Sequence, residues 1–366
     1  MNNLPNEINS FRSRLRMISK YWKMASPNGT GKYWDIYSKN ISRQVEIEMG
    51  DINSHLWSLA MVFSGGAEYP PTPRFRSILI QPLRYINALL RILPNPFGLL
   101  NLFWKLYYFL SRFIIEGDLI KNRNKILLEY GEALFIKEFK KYDISSPEIM
   151  GDSREQLNSG RWLSFTTLRN FNVFLQILNS KYRYSAVLEI GAGIGELARI
   201  FLSTQTTQRY IIVDIPPAIA FSERYLEKSL GKNVIDYFDP NRTKLNTAKK
   251  VHFLTPNQIH LAGYFNLGIN VASFGEMNRL IVENYIFQLK NNGFDEFFSY
   301  NQHLKKSNSK ETIGEREYTS WFGPEFEVYE NWNAYSEVPY TNPIPHSKGR
   351  QGYQILRFRK AKGLKN

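Results

Sequence analysis

The residues with the most specific chemical pattern lie in one short segment. Val-Leu-Glu-Ile-Gly-Ala-Gly-Ile-Gly (187–195) is an apolar run that ends in three glycines at alternate positions, Gly191, Gly193 and Gly195. Such a turn between a strand and a helix leaves no Cβ between the backbone and a bound nucleotide. Glu189 lies inside the run, where a carboxylate is costly unless a cation or a hydrogen-bond donor meets it. The pattern predicts a nucleotide site at this turn.

An acid ends the next predicted strand. Tyr-Ile-Ile-Val-Asp (210–214) is a β-branched run that ends in Asp214, 19 residues after Gly195. In Rossmann-like units the acid at this place accepts hydrogen bonds from ribose hydroxyls, and Ile215 is expected beside the same ligand. Two other interpretations stay open. One is that Asp214 caps a helix that starts near Pro217. The other is that the glycine turn and the acid bind NAD.

Polar residues also follow the later predicted strands, at the edge where open α/β sheets bind ligands. Asn257 follows the third strand, in a loop suited to an adenine edge, and Ser273 and Glu276 follow the fourth. His303 follows the fifth strand and is the candidate general base for a hydroxyl acceptor, with Glu276 as the alternative. A solvated loop histidine and an acid at a helix N-terminus are the competing interpretations.

Alternating strands and helices would position these residues. Strands are predicted at 186–190, 209–213, 250–254, 266–271, 296–300 and 352–359, and helices at 161–180, 196–203, 217–230 and 278–291. The alternation predicts an α/β fold with a mostly parallel sheet over residues 161–366. Residues 1–160 are predicted to form a largely helical N-terminal domain. The aromatic-rich loop 321–335 either stacks on sugar rings or packs in the core.

The composition fits a large globular protein. Its 366 residues are 43% hydrophobic and 15% aromatic, which is enough for two domains. The absence of cysteine excludes a disulfide framework and a thiolate metal site. No His, Asp and Glu cluster has metal-ligand spacing, so no metal is predicted. The N-terminus lacks an apolar signal region, and a cytoplasmic location is expected.

The net charge of +14 is concentrated in two segments. Residues 70–125 hold nine Lys and Arg against two acids, and residues 348–366 hold seven against none. Such segments predict an anionic partner, either a phosphate-bearing substrate, nucleic acid or lipid headgroups. Within 86–115, an apolar stretch carries Lys105 and Arg112 on one helical face. It is interpreted either as a peripheral membrane contact, on the inner membrane face, or as a buried helix.

Together these motifs resemble the class I S-adenosylmethionine-dependent methyltransferases, and among them the sugar O-methyltransferases of bacterial surface-polysaccharide gene clusters. The resemblance covers about residues 145–305 and rests on Glu-x-Gly-x-Gly-x-Gly (189–195), Asp-Ile-Pro (214–216) and Ser-Phe-Gly-Glu-Met (273–277). It implies a Rossmann-like class I methyltransferase sheet and S-adenosylmethionine as cofactor. It also implies a sugar hydroxyl as acceptor, in a nucleotide-sugar or in a diphosphate- or lipid-linked glycan.

The residues expected to bind the cofactor are Glu189, Gly191, Gly193, Gly195, Asp214, Ile215, Asn257 and Ser273. Two other functions stay open. The pI of 9.6 fits an RNA or protein methyltransferase, and segment 86–115 fits a non-catalytic scaffold at a membrane. Nucleic acid is the less favoured partner, because base-amine methyltransferases carry (Asp/Asn)-Pro-Pro-(Tyr/Phe) after the fourth strand. Residues 270–274 contain no proline.

Overall fold

The computed structural model describes part of the chain. The described residues are 11–21 without 12 and 19, 140–147 without 143, 154–178, 183–302 without 278, 315–334 and 353–361. The candidate base His303 lies outside them, as do the basic segment 70–125 and the apolar segment 86–115.

Helices and strands alternate along the described chain. The helices are α1 (11, 13–18, 20 and 21), α2 (Lys140–Tyr142), α3 (Phe165–Ile177), α4 (Glu196–Ser203), α5 (Pro216–Leu230), α6 (Arg279–Asn292) and α7 (Glu315–Phe322). The strands are β1 (Arg154–Gln156), β2 (Trp162–Ser164), β3 (Tyr184–Ile190), β4 (Thr207–Val213), β5 (Ile235–Asp236), β6 (Val251–Leu254), β7 (Phe265–Val271), β8 (Phe294–Gln302), β9 (Phe326–Ala334) and β10 (Tyr353–Lys360). Turns of 3-10 helix cover Lys232–Val234, Pro256–Ala262 and Phe274–Glu276.

Eight strands of the described residues form one sheet in the order β5-β6-β4-β3-β7-β8-β10-β9. Neighbours from β5 to β8 pair in parallel, and β10 runs antiparallel between β8 and β9. β1 and β2 form a separate hairpin. The predicted fold class, an α/β protein with a mostly parallel, Rossmann-like sheet, is confirmed by this order.

The direction in which successive strands are added across the sheet reverses beside β3. The chain first moves from β3 to β4 and on to β5 and β6, and then returns to place β7 on the opposite side of β3. Open α/β sheets bind ligands beyond the carboxyl ends of the strands at such a switch point. The carboxyl ends of β3, β4 and β7 therefore define the expected ligand site, and this side of the sheet is called the carboxyl edge.

Helices cover both faces of the sheet, which explains why its central strands are continuous apolar runs. On one face, Val187 of β3 packs in a core with Phe201 of α4. On the other face, the next residue, Leu188, packs in a core with Ile286 of α6 and Phe322 of α7. Alternate side chains of β3 thus anchor it between two layers, and its carboxyl end is held in place by both.

The described part of the N-terminal region packs against the same sheet. Phe11, Leu15 and Ile18 of α1 lie in the core on the α3–α5 face. Arg14 donates from Nε to Glu223 Oε2 of α5 at 2.8 Å. The boundary between domains at residue 160 stays a prediction. No described helix has the length and hydropathy to cross a membrane.

Most of the described aromatic stretch after α6 packs in the core. Residues 326–334, predicted as a loop, form strand β9 against β10. Phe322 is fully buried and stacks on Phe358 at 3.8 Å between ring centroids. The Tyr329 hydroxyl donates to Glu296, and the Arg357 guanidinium lies over the Tyr329 ring. Of the two alternatives, core packing therefore holds for Phe322. Tyr329 is half-buried, and its contact with a sugar stays a prediction.

Candidate cofactor and acceptor site

The glycine turn (191–195) joins β3 to α4 at the carboxyl edge. Its three glycines have φ values of 74° at Gly191, 60° at Gly193 and 84° at Gly195, a region that side chains other than glycine rarely adopt. A Cβ on Gly191 would lie 2.2 Å from Ser273 Oγ, and one on Gly195 would lie 2.9 Å from Leu226 Cδ1. These two glycines therefore let the turn pack against the end of β7 and against α5.

Asp214 follows β4 and contacts the glycine turn directly. The Gly193 N–H donates to Oδ2 at 3.1 Å, and the Ile215 N–H donates to Oδ1 at 2.7 Å. The backbone N–H of Ala192 is a third donor to this carboxylate. A carboxylate has about four acceptor sites, so Asp214 keeps capacity for a further donor such as a ribose hydroxyl. The N-cap of α5 is Ile215, with no side-chain cap. The interpretation of Asp214 as a simple helix cap is therefore wrong.

Burial raises the pKa of Asp214 to about 7, against the opposing effect of the backbone N–H groups that it accepts. Glu189 is 3% exposed and accepts a hydrogen bond from the Tyr210 hydroxyl at 2.8 Å. Burial and the nearby Asp214 charge raise the pKa of Glu189 to about 8. Both acids meet neutral donors, and no cation of the described chain pairs with either.

The loop 272–276 follows β7 and packs against the glycine turn. Its Ser273 hydroxyl donates to the Ile190 carbonyl at 3.2 Å, one residue before Gly191. Ala272 has a φ of 58°, which is uncommon for a residue other than glycine, and its N–H donates to Tyr300 O at 2.7 Å. Ser273 is thus beside the turn, as predicted for the site, although its side chain contacts protein groups.

The predicted adenine-edge residue also lies at the carboxyl edge. Asn257 is exposed, in the 3-10 turn that follows β6. That turn is held by a capping box, in which Thr255 and Gln258 bond to each other's backbone. Ile215 is 8% exposed, directly after Asp214. Contact of Asn257 or Ile215 with a cofactor stays a prediction.

The two candidate bases follow neighbouring strands. Glu276 ends the 3-10 turn after β7, and its side chain is not described. His303 comes immediately after Gln302, the last residue of β8, and lies outside the described residues. β7 and β8 pair in parallel, so the two strands that precede these residues end at the same carboxyl edge. Which of them removes a proton stays a prediction.

Sequence reasoning missed Asn270. Its side chain is fully buried and hydrogen-bonds to the ends of β3 and β8, through Ile190 O and Asn301 Nδ2. An amide near the end of a largely apolar strand was the available signal, because a buried amide requires partners. Among the described residues no group of three or more His, Cys, Asp and Glu could hold a metal ion.

The C-terminal positive charge is partly neutralised within the fold. Arg357 is 2% exposed and donates from Nε to Glu296 at 2.9 Å, and Arg359 pairs with Glu327 at 2.6 Å. Two of the seven cations in 348–366 therefore face acids of the same sheet. This reduces the surface charge that the sequence assigned to this segment.

No protein-family model and no curated protein matches the sequence. Three solved structures illustrate the fold likeness. The magnesium protoporphyrin IX methyltransferase ChlM of Synechocystis, with bound SAH, is 9% identical over 65% of this chain and 100% of its own, with a TM-score of 0.37. TrmK of M. capricolum, with S-adenosyl-homocysteine (SAH), is 11% identical over 54% and 69%, with a TM-score of 0.33. The cyclase SpnF is 12% identical over 52% and 81%, with a TM-score of 0.38. Likeness at this level carries no argument about ligand or reaction.

Proposed function

We propose that this protein is an S-adenosylmethionine-dependent O-methyltransferase that acts on a sugar hydroxyl, in a nucleotide-sugar or a bacterial surface glycan. The observation that carries the cofactor proposal is the position of Asp214. Its carboxylate lies at the carboxyl end of β4 and accepts the N–H of Gly193 in the glycine turn. This is the place from which an acid receives ribose hydroxyls in a Rossmann-like sheet.

The donors and charges of the site fit this cofactor. Asp214 keeps acceptor capacity beyond its backbone donors, which suits a ribose hydroxyl. Glu189 and Asp214 are buried beside the turn with neutral donors alone among the described residues. A ligand with positive charge relieves the cost of ionising both acids, whereas the pyrophosphate of NAD would add negative charge beside them. This difference favours S-adenosylmethionine over NAD.

The cofactor would supply a methyl group bonded to a positively charged sulfur, which an oxygen nucleophile can attack in line. The chain has to orient the acceptor hydroxyl and to receive its proton as the new carbon–oxygen bond forms. We assign the proton to His303, with Glu276 as the alternative, because both follow strands that end at the carboxyl edge.

A hydroxyl acceptor is favoured over an amine. Residues 270–274 lack the two prolines of the base-amine motif. In addition, the Asn270 amide is consumed by bonds to Ile190, Phe274 and Asn301, so it is not available to an acceptor amine. The sugar itself is proposed from the resemblance of segments such as 273–277 to sugar O-methyltransferases.

The proposed acceptor carries an anionic part, a diphosphate or a lipid headgroup. The basic segment 70–125 is the proposed partner for that charge, and segment 86–115 is the proposed contact with a membrane surface. Nucleic acid is less favoured, because Arg357 and Arg359 of the C-terminal basic segment pair with acids of the sheet.

Calorimetric titration with SAH and S-adenosylmethionine tests the cofactor site. Wild-type protein is expected to bind at micromolar concentrations, and Gly193→Arg to abolish binding, because the new side chain fills the space beside Asp214. Gly160→Arg is the matched control. Gly160 also has positive φ, at 79°, and a Cβ there meets open space in the β1–β2 hairpin. Absence of wild-type binding would favour the scaffold, and equal loss in both variants would remove Gly193 from the site.

A further inference from the structure

One buried amide connects three strand ends at the carboxyl edge. Asn270 is the last residue but one of β7 and is fully buried. Its Nδ2 donates to Ile190 O, at the end of β3, at 2.9 Å. Its Oδ1 accepts the Phe274 N–H at 3.1 Å and the Asn301 Nδ2 donor of β8 at 3.0 Å. The amide therefore has partners on β3, on β8 and on the loop 272–276.

These bonds reach the glycine turn through one peptide. Ile190 directly precedes Gly191, and the Ser273 hydroxyl accepts from Asn270 Nδ2 and bonds to the same Ile190 carbonyl. A Cβ on Gly191 would lie 2.6 Å from Ser273 Cβ, so the loop and the turn are in close contact. Ala272 holds its positive φ within this network, since such a conformation persists where surrounding contacts determine it.

We propose that Asn270 is a positioning residue of the cofactor site, which fixes the Ile190 carbonyl and the adjoining glycine turn against the loop 272–276. The inference rests on the proposed function. Asn270 acts through Ile190 and Ser273, since its amide is occupied by protein groups. Because Glu276 ends the same loop, the amide also sets the spacing between the cofactor turn and one candidate base.

Asn270→Asp separates positioning from mere packing, because the side chain keeps its size and changes its donors. A carboxylate has no donor for Ile190 O and places negative charge against that carbonyl. The protonated carboxyl regains one O–H donor, and burial shifts its protonation toward neutral pH. We expect SAH affinity at about pH 8 to fall at least about 10-fold relative to wild type, and the deficit at about pH 5.5 to narrow to about 3-fold.

The ratio of variant to wild-type affinity is the measured quantity, since it cancels the titration of Glu189 and Asp214. Asn172→Asp is the matched control, because Asn172 is equally buried on α3 and its amide has no hydrogen bond to this network. Its SAH affinity is expected to stay within about 2-fold of wild type at both pH values. Ser273→Ala, a milder change at the same carbonyl, is expected to cost about 3-fold without pH dependence.

Each outcome bears on the proposal. Absence of SAH binding to the wild type overturns the proposed function and this inference together. Wild-type binding with an unchanged Asn270→Asp ratio, or with equal loss in Asn172→Asp, overturns the positioning role alone. If Asn270→Asp does not fold, Asn270→Ala decides, because it removes the donor to Ile190 O, and an SAH affinity within about 2-fold of wild type in that variant overturns the role.

Discussion

At the end of the sheet opposite the carboxyl edge, Glu296 of β8 receives the guanidinium of Arg357, at 2.9 Å from Nε, together with the Tyr184 hydroxyl at 3.1 Å. At the carboxyl edge, Glu189 and Asp214 receive a tyrosine hydroxyl and backbone N–H groups. The first site satisfies a carboxylate with a cation inside the protein. The second leaves two acids without a cation from the described chain.

The same contrast holds for the other buried acids on the α3–α5 face. Glu196 pairs with Arg199 at 2.7 Å, and Glu223 pairs with Arg14 at 2.6 Å. Acids that hold helices together are thus neutralised by arginines, whereas Glu189 and Asp214 at the predicted ligand edge are not. Buried acids with raised pKa values and no internal cation are typical of functional positions. The comparison therefore points to a ligand with positive charge.

Removing Arg357, the cation that pairs with Glu296, should have the largest effect on the unfolding free energy. Arg357→Met leaves the Glu296 carboxylate without its guanidinium, and Arg357 also donates to the carbonyls of Gln176 and Ile177. We expect a loss of about 3–5 kcal/mol in unfolding free energy, measured by urea denaturation. Arg359→Met is the matched control, since that pair is 45% and 43% exposed, and it should cost less than about 1 kcal/mol. Similar losses of unfolding free energy in Arg357→Met and Arg359→Met would contradict the expected difference between the buried and the exposed ion pair.

Removing the charge of Asp214 at the carboxyl edge should have the opposite effect: ligand binding weakens and the unfolding free energy is kept. Asp214→Asn is expected to weaken S-adenosylmethionine binding at least about 100-fold in calorimetry, because the acceptor of the ribose hydroxyls is lost. Its unfolding free energy at about pH 8 should not fall, since an uncompensated buried charge is removed. Asp236→Asn, which breaks the half-buried pair with Arg242, should instead destabilise the fold and leave binding unchanged. Loss of stability in Asp214→Asn would count against the comparison.

Asp214 and Glu189 should also make stability and ligand affinity depend on pH, with a smaller effect than the substitutions above. Burial raises the pKa of Asp214 from 3.8 to about 7 and that of Glu189 from 4.5 to about 8. Both folded pKa values exceed the unfolded ones. The stability that these groups contribute is therefore fully present below about pH 4 and is lost as pH rises through about 8. Binding of a cationic ligand should release protons, and affinity should rise about 10-fold from about pH 6 to about pH 8.

Calorimetry in two buffers of different ionisation enthalpy measures that proton release. Glu189→Gln is the informative variant, because it should lower the number of protons released and leave the part due to Asp214. Proton uptake, or an affinity that does not change with pH, would show that these acids do not ionise on binding.

Local patterns in the sequence were sufficient to predict the centre of the fold. The strands expected at 186–190 and 209–213 are Tyr184–Ile190 and Thr207–Val213 in the structure, because buried parallel strands are continuous apolar runs. The glycine turn was also predicted from a local pattern, the three glycines that follow the apolar run of β3.

Strand β9 (Phe326–Ala334) was missed. It lies at the edge of the sheet, beside β10, and carries charged residues such as Glu327 and Glu330. Charges of this kind protect an exposed sheet edge, and they obscure the apolar pattern from which a strand is predicted.

The sequence by itself determined that a glycine turn follows β3 and that an acid ends β4, because both features depend on neighbouring residues along the chain. The tertiary structure decided why two of the glycines are needed, since Gly191 faces Ser273 and Gly195 faces Leu226. It also decided that Glu189 and Asp214 receive no arginine from the described chain. Contacts between residues distant in sequence arise from the packing of the sheet and helices, and no local pattern specifies them.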